Sequence, residues 1–276
     1  MAAGAKGTAS DVYVLDTGSS SAAERLRLLD DVYGAFTRQL LIHAGVGPGK
    51  RILDVACGVG TISCWLAGKV GCNGSVVAAD VNPDQLVVAK GYWNECEDLQ
   101  PVEFIEASAY ETGLPSESFD IVHCRLLLCH LTKPQDVLRE MHRVLKPGGI
   151  LVSQELRLSN TFCHPDSPAY ARSVSLTLEA GKRLGVNYDY GVELPAAVMD
   201  AGFQSPEVRA DLPAMLRGPG KRIWEHTFAE AIPVIARTRV SREEELLDLL
   251  EEMRAVADDE QVLIAPWALI GVIAMK

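Results

Sequence analysis

The stretch "RILDVACGVGTISCWLAG", residues 51–68, constrains the fold more than any other part of the chain. An apolar run carrying Asp54 leads into Cys57, Gly58 and Gly60, and a helical pattern follows at once. The same rhythm then repeats. Strands are predicted over 51–55, 75–79, 102–106, 119–124 and 150–154, with helical patterns over 61–69 and 82–93 between them. Asn82 suits the N-cap of the second of these helices and Pro83 its first position. "TKPQDVLREMHRVLKPGG" reads as a further helix, opened by a Thr132/Gln135 capping box and stopped by Pro147-Gly148-Gly149. Strands alternating with helices of this length make right-handed βαβ units and a doubly wound, mostly parallel sheet, an α/β fold.

Three regions follow from this pattern. Residues 1–44 hold a Gly/Ala/Ser-rich start and a helix from Ala22 to about Ala44. Residues 45–159 carry the repeating units. After that the rhythm changes, and residues 160–276 form the C-terminal half of the sheet with two helical segments, at about 160–187 and 216–257. Between those segments, "VELPAAVMDAGFQSPEVRADL" predicts a helix, a stop at Gly202 and a strand. "VLIAPWALIGVIAM" is expected to close the sheet.

Composition narrows the function. The chain has 276 residues, is 48% hydrophobic and carries a formal charge of -11 without a long basic stripe, which disfavours nucleic acid and anionic membrane surfaces as partners. Its seven cysteines are odd in number and form no CxxC pair, so no disulfide framework and no zinc or other metal site is expected. No apolar signal segment opens the sequence, and the most apolar stretch is too short and too interrupted to span a bilayer. These features predict a reduced, cytoplasmic protein, monomeric or homodimeric.

A doubly wound sheet binds its ligand at the carboxyl ends of its strands, where strand order reverses. The turn after the first strand is therefore the expected site. Its glycines permit close backbone approach, and the helix N-terminus behind it offers free N–H groups. A dinucleotide turn wants a third glycine where this chain has Ser63. S-adenosylmethionine has no phosphate and asks for acidic groups, and Asp54 and Asp80 end the first two strands. An acid at the second strand also occurs in NAD-binding folds, so the turn alone leaves both cofactors open.

The later segments discriminate. "ILDVACGVGTIS", "VVAADVNPDQL", "VEFIEASAYETGLPSESFDIVHCRLLLCHL" and "VLKPGGILVSQE" resemble, in order, the successive motifs of class I S-adenosylmethionine-dependent methyltransferases. The chain's flanks resemble the small-molecule enzymes of quinone-biosynthesis and natural-product type. The resemblance implies a Rossmann-like methyltransferase fold of seven strands with helical cap insertions, and S-adenosylhomocysteine as product. It implies Ala56, Cys57, Gly58 and Gly60 along the methionine part, with Asp54 near the ammonium. It also implies Asp80 on the ribose, Val81 against adenine, Ser108 and Ala109 at the adenine edge, and Arg125 and Leu126 at the end of the fourth strand. Ser108 stands where relatives often carry an aspartate. Tyr13 is expected to fold over the cofactor.

Methyl transfer from a sulfonium is a direct displacement that depends on positioning and exclusion of water. An oxygen nucleophile also wants a base, for which His130 and Glu155 are the candidates nearest the strand ends, with His164 and His226 in the cap. Tyr170, Met215, Trp224 and Phe228, with those two histidines, are expected to line the substrate pocket. The expected reaction is methylation of an oxygen or nitrogen of a small, largely apolar metabolite. The alternatives are a non-methylating cofactor-binding protein or cyclisation catalyst on the same fold, and an NAD-dependent oxidoreductase.

Overall fold

The computed structural model describes residues 20–96 and 99–276. Tyr13 and the rest of 1–19 lie outside the described residues. The strands are β1 (Arg51–Val55), β2 (Ser75–Asp80), β3 (Val102–Glu106), β4 (Phe119–Arg125), β5 (Leu145–Arg157), β6 (Phe162–His164), β7 (Gln204–Asp211), β8 (Leu263–Ala265) and β9 (Ala268–Met275). The helices are α1 (Ser20–His43), α2 (Thr61–Val70), α3 (Pro83–Asn94), α4 (Pro134–Val144), α5 (Pro168–Leu184), α6 (Leu194–Asp200), α7 (Ile223–Arg237) and α8 (Glu243–Asp258).

Seven strands form one sheet in the order β3-β2-β1-β4-β5-β9-β7. The first five are mutually parallel, and β9 runs antiparallel to both β5 and β7. This is the doubly wound, mostly parallel seven-stranded sheet of the Rossmann-like methyltransferase fold. Ile52, Leu53, Val76, Val77, Ile121 and Val122 are almost wholly buried, as central parallel strands covered on both faces require. Strand order reverses at β1, between β2 and β4, so the crevice opens beyond the carboxyl ends of β1 and β4.

Local signals held where the chemistry was local. Asn82 caps α3 through its side chain, which accepts from the Asp84 N–H at 2.9 Å, and Pro83 sits in the first turn. Elsewhere packing prevailed. At α4 the N-cap position falls on Lys133, one residue beyond the expected Thr132, without a side-chain bond of its own, and Gln135 donates to the Ala197 carbonyl of α6 at 3.0 Å. That helix stops at Val144, and Lys146 to Gly149 already belong to β5. The helical stretch expected over 216–257 is two helices, α7 and α8, broken after Arg237. The C-terminal apolar run divides at Pro266-Trp267. Its first part, β8, pairs with β6 in a separate two-stranded sheet, and only β9 joins the main one.

Helices α1, α5, α7 and α8 pack on one another beside the crevice. Arg25 of α1 meets Glu230 of α7 at 2.7 Å, with side chains only 2% and 7% exposed. Trp224 of α7 donates to Ser173 of α5 at 2.9 Å. The Tyr33 hydroxyl of α1 donates to the Trp267 carbonyl at 2.7 Å, and the two rings stack at 5.7 Å. These polar ties fix where the helices stand against the strand ends. Among the described residues no helix is long and apolar enough to cross a membrane.

Candidate active site

The turn between β1 and α2 is built on left-handed backbone. Ala56, Gly58 and Gly60 have φ of 56°, 55° and 78°. The reason differs at each glycine. A Cβ on Gly60 would lie 2.9 Å from the Ala89 Cβ of α3, so this glycine serves helix packing, and it does not line the cavity described below. Gly58 does line it, and its N–H donates to the Asp80 carboxylate at 2.9 Å. The Asn82 N–H donates to the other Asp80 oxygen, also at 2.9 Å. Asp80 thus ties the turn to the end of β2 while itself facing the cavity. Burial raises its pKa, while the N–H donors of Asn82 and Gly58 pull the other way.

Asp54 lines the same cavity and is also held by neighbouring side chains. Its carboxylate is taken up by Ser63, whose hydroxyl donates at 2.5 Å, and by Nδ1 of His123 at 2.7 Å. His123 thus meets Asp54 through Nδ1, with its Nε2 on the far side of the ring. That Nε2 has no hydrogen-bond partner among the described residues. Ser63 is therefore more than a missing glycine. His123 escaped the sequence reading because it sits in an apolar strand. The signal was the register: it lies directly opposite Asp54 in the neighbouring strand, a pairing that one sequence does not show.

A cavity of about 540 Å³ opens over these residues. One wall is made by the strand ends and their loops: Asp54, Ala56, Cys57, Gly58, Asp80, Val81, Ser108, Ala109, Arg125, Leu126 and His130, all expected from the sequence. Val81 is 69% exposed, a bare apolar surface beside the Asp80 carboxylate. Leu126, like Ala56, is held at positive φ, and its N–H donates to the Gln154 carbonyl at 2.8 Å. Arg125 is also drawn toward α1, to the Thr37 hydroxyl at 3.1 Å and Asp30 at 3.5 Å. Burial pushes the Cys57 thiol up, which keeps it protonated and unreactive. This donor set fits a nucleoside: an acid for a vicinal diol, an apolar face, and a left-handed turn that brings backbone close to the ligand.

The other wall comes from the helices, and here the sequence reading largely missed. Trp224 lines the cavity as expected. Arg25, Leu29, Thr177, Tyr188, Thr227 and Trp267 also do, and no local pattern distinguishes them in the sequence. The remaining pocket expectations fall elsewhere. Tyr170 and Phe228 are core residues, 2% and 0% exposed. Met215 is bridged to Ile264 beside the small sheet, His164 is exposed at the end of β6, and His226 is half-buried away from the cavity.

Of the two expected bases, Glu155 is not at the cavity. It is fully buried and accepts the N–H groups of Leu127, Leu128 and Cys129 at 3.0, 2.8 and 3.1 Å. It thereby anchors the 3-10 turn Leu128–His130 that carries the other candidate. His130 does line the cavity, edge-on to Tyr188 at 5.5 Å between ring centres. Burial, reinforced by the charge of Arg25, pushes its pKa down to about 3, so the imidazole is uncharged at neutral pH and a poor proton acceptor.

Burial raises the Glu155 pKa to about 7, against the pull of its three N–H donors. A carboxyl whose folded pKa is raised stabilises the fold fully below its unfolded pKa, and that contribution is lost as pH rises through the folded value. Wild-type unfolding free energy should therefore fall between about pH 4 and pH 7 by more than that of Glu155→Gln, as chemical denaturation would show. The cofactor affinity of the variant should match wild type. An activity profile that loses a titration near neutrality in Glu155→Gln would instead make this residue the base.

Comparisons with known proteins agree with this geometry. The family described as "Methyltransferase domain" matches residues 53–153. The ubiquinone/menaquinone biosynthesis C-methyltransferase UbiE of Ectopseudomonas mendocina is 33% identical over 207 residues, covering 67% of this chain and 78% of that protein. A candidate methyltransferase of Bacillus halodurans C-125 superposes with a TM-score of 0.60 at 24% identity, covering 88% of this chain and 99% of that one. A Haemonchus contortus phosphoethanolamine N-methyltransferase, in complex with S-adenosylhomocysteine, gives 0.60 at 17% identity, with 98% and 60% coverage. The last two likenesses are of fold. With the glycine turn, the acid at the end of β2 and the identity across the core, the chain belongs to the class I S-adenosylmethionine-dependent methyltransferases.

Proposed function

We propose that this methyltransferase transfers a methyl group to a carbon of a small, largely apolar acceptor. The atom expected from the sequence is oxygen or nitrogen. Carbon is favoured by the activity named for the Ectopseudomonas mendocina relative. The bases add support: Glu155 is occupied away from the cavity, and His130 is held as a weak base. An electron-rich carbon can attack first and lose its proton afterwards, so it depends less on a base than a hydroxyl does. The observation that carries the reading is the cavity itself, polar along the strand ends and walled by aliphatic and aromatic side chains on the helical side.

When bound, S-adenosylmethionine supplies an electrophilic methyl group. The chain's own groups bind and orient. Asp80 takes the ribose hydroxyls as donors, Val81 lies against the adenine, and Ser108 and Ala109 meet its edge. Ala56, Cys57 and Gly58 follow the methionine part, and the Asp54 carboxylate, held by Ser63 and His123, lies near the ammonium. The helical wall shields the reacting centre from water, which favours in-line attack on a bound acceptor.

Two measurements check this. Asp80→Asn should lower affinity for S-adenosylhomocysteine tenfold or more in calorimetry, because hydrogen bonds to a charged acceptor contribute about 1.5–3 kcal/mol each. Unchanged affinity with unchanged stability would refute the ribose assignment. Incubation with ¹³C-methyl-labelled cofactor and electron-rich hydroxyarenes should give a carbon-bound methyl signal by NMR. Methoxy products alone would return the acceptor to oxygen.

A further inference from the structure

We infer that Arg25 and Trp267 form an acceptor-recognition subsite in the helical wall, one that takes an uncharged oxygen on a flat apolar ring and rejects a carboxylate. The inference rests on the reading of the cavity's helical side as the acceptor chamber.

Arg25 and Trp267 line the same cavity, and both are almost fully buried, 2% and 3% exposed. Each leaves one N–H donor group, Nη2 of Arg25 and Nε1 of Trp267, without a hydrogen-bond partner among the described residues. A buried donor left unpaired is costly, and such groups in folded proteins usually have an occupant. Both side chains are also held. Arg25 is clamped through Nε to Glu230 at 2.7 Å. Trp267 stacks on Tyr33 at 5.7 Å and meets Trp224 edge-on at 6.2 Å. Held donors of this kind recognise a ligand atom at little cost in side-chain ordering.

Charge decides what that atom is. The guanidinium is already compensated by Glu230 across the buried α1–α7 contact. Because Glu230 already meets the Arg25 charge, a ligand carboxylate at this wall would be buried without a cation of its own, and burying an uncompensated charge is strongly unfavourable. A carbonyl or hydroxyl oxygen brings lone pairs without net charge and can accept from these donors. The same argument keeps the cofactor's own carboxylate away from Arg25. Trp224, Trp267 and Tyr188 supply flat apolar surface for the ring that bears the oxygen.

The test uses the full chain saturated with S-adenosylhomocysteine and three probes of one ring system: 1-naphthol, naphthalene and 1-naphthoate. Direct binding should rank 1-naphthol about tenfold above each of the others. Trp267→Phe keeps the ring and removes one donor, and should lose most of the preference for naphthol over naphthalene. Arg25→Met alone strands Glu230, so Arg25→Met is paired with Glu230→Met, which should weaken the preference for naphthol over naphthalene, still exclude naphthoate and leave S-adenosylhomocysteine affinity unchanged, whereas Glu230→Gln alone frees the guanidinium and should admit naphthoate. Three results overturn the inference: no preference for naphthol in wild type, tightest binding of naphthoate in wild type, or a preference for naphthol over naphthalene that survives both the Trp267 and the Arg25 substitutions. A loss of S-adenosylhomocysteine affinity in the Arg25 double variant also overturns it, because Arg25 would then serve the cofactor. Methyl transfer is read in none of these assays, so a failure here leaves the carbon-methylation reading to its own test.

Discussion

Asp80 accepts two backbone N–H groups with its two oxygens, and the site depends on that arrangement. The Gly58 N–H comes from the turn after β1 and the Asn82 N–H from the start of α3. The carboxylate therefore closes the strand-turn-helix unit onto its neighbour and presents its remaining lone pairs to the cavity. Gly58 must hold a positive φ for its N–H to face Asp80, and Gly60 must lack a side chain for α2 to approach α3. Architecture and ligand binding share the same few atoms.

A second theme is how the fold handles buried titratable groups. His130 is kept neutral by burial beside Arg25, and Glu155 is given three N–H donors and kept from the cavity. Asp54 spends its oxygens on Ser63 and His123. Each group holds backbone or another side chain in place, which is the contribution a direct displacement needs most. The polarity of the chamber is concentrated in a few fixed donors and acceptors within apolar walls.

The strand-end half of the site was legible in the sequence and the helical half was not. Strands β1 to β4 carry apolar runs and turn residues that declare themselves locally, and the topology of a doubly wound sheet says where their ends face. Gly58 and Asp80 could therefore be placed at the strand ends before any coordinates, and the family resemblance put Ala56 and Ser108 beside them. Arg25, Thr177 and Trp267 come from three distant segments, and only helix packing brings them to one cavity. Trp224 lines the chamber and Phe228 does not, although they lie one turn apart on the same face of α7 with their rings 5.8 Å apart, and nothing in the local sequence separates them. Glu155 was misassigned for a related reason: its position at a strand end was readable, but the backbone N–H groups waiting for it were not. The split of the C-terminal apolar run likewise depends on β6, a partner about a hundred residues upstream.

The central claim is that an S-adenosyl group lies along the strand ends with its reactive centre turned to the helical wall. A crystal structure with S-adenosylhomocysteine bound tests it most directly. The account predicts ribose hydroxyls on the Asp80 carboxylate, adenine against Val81, and the sulfur facing the chamber walled by Trp224 and Trp267. A nucleoside seated among the helices, or an Asp80 carboxylate that makes no contact with the ligand, would contradict it.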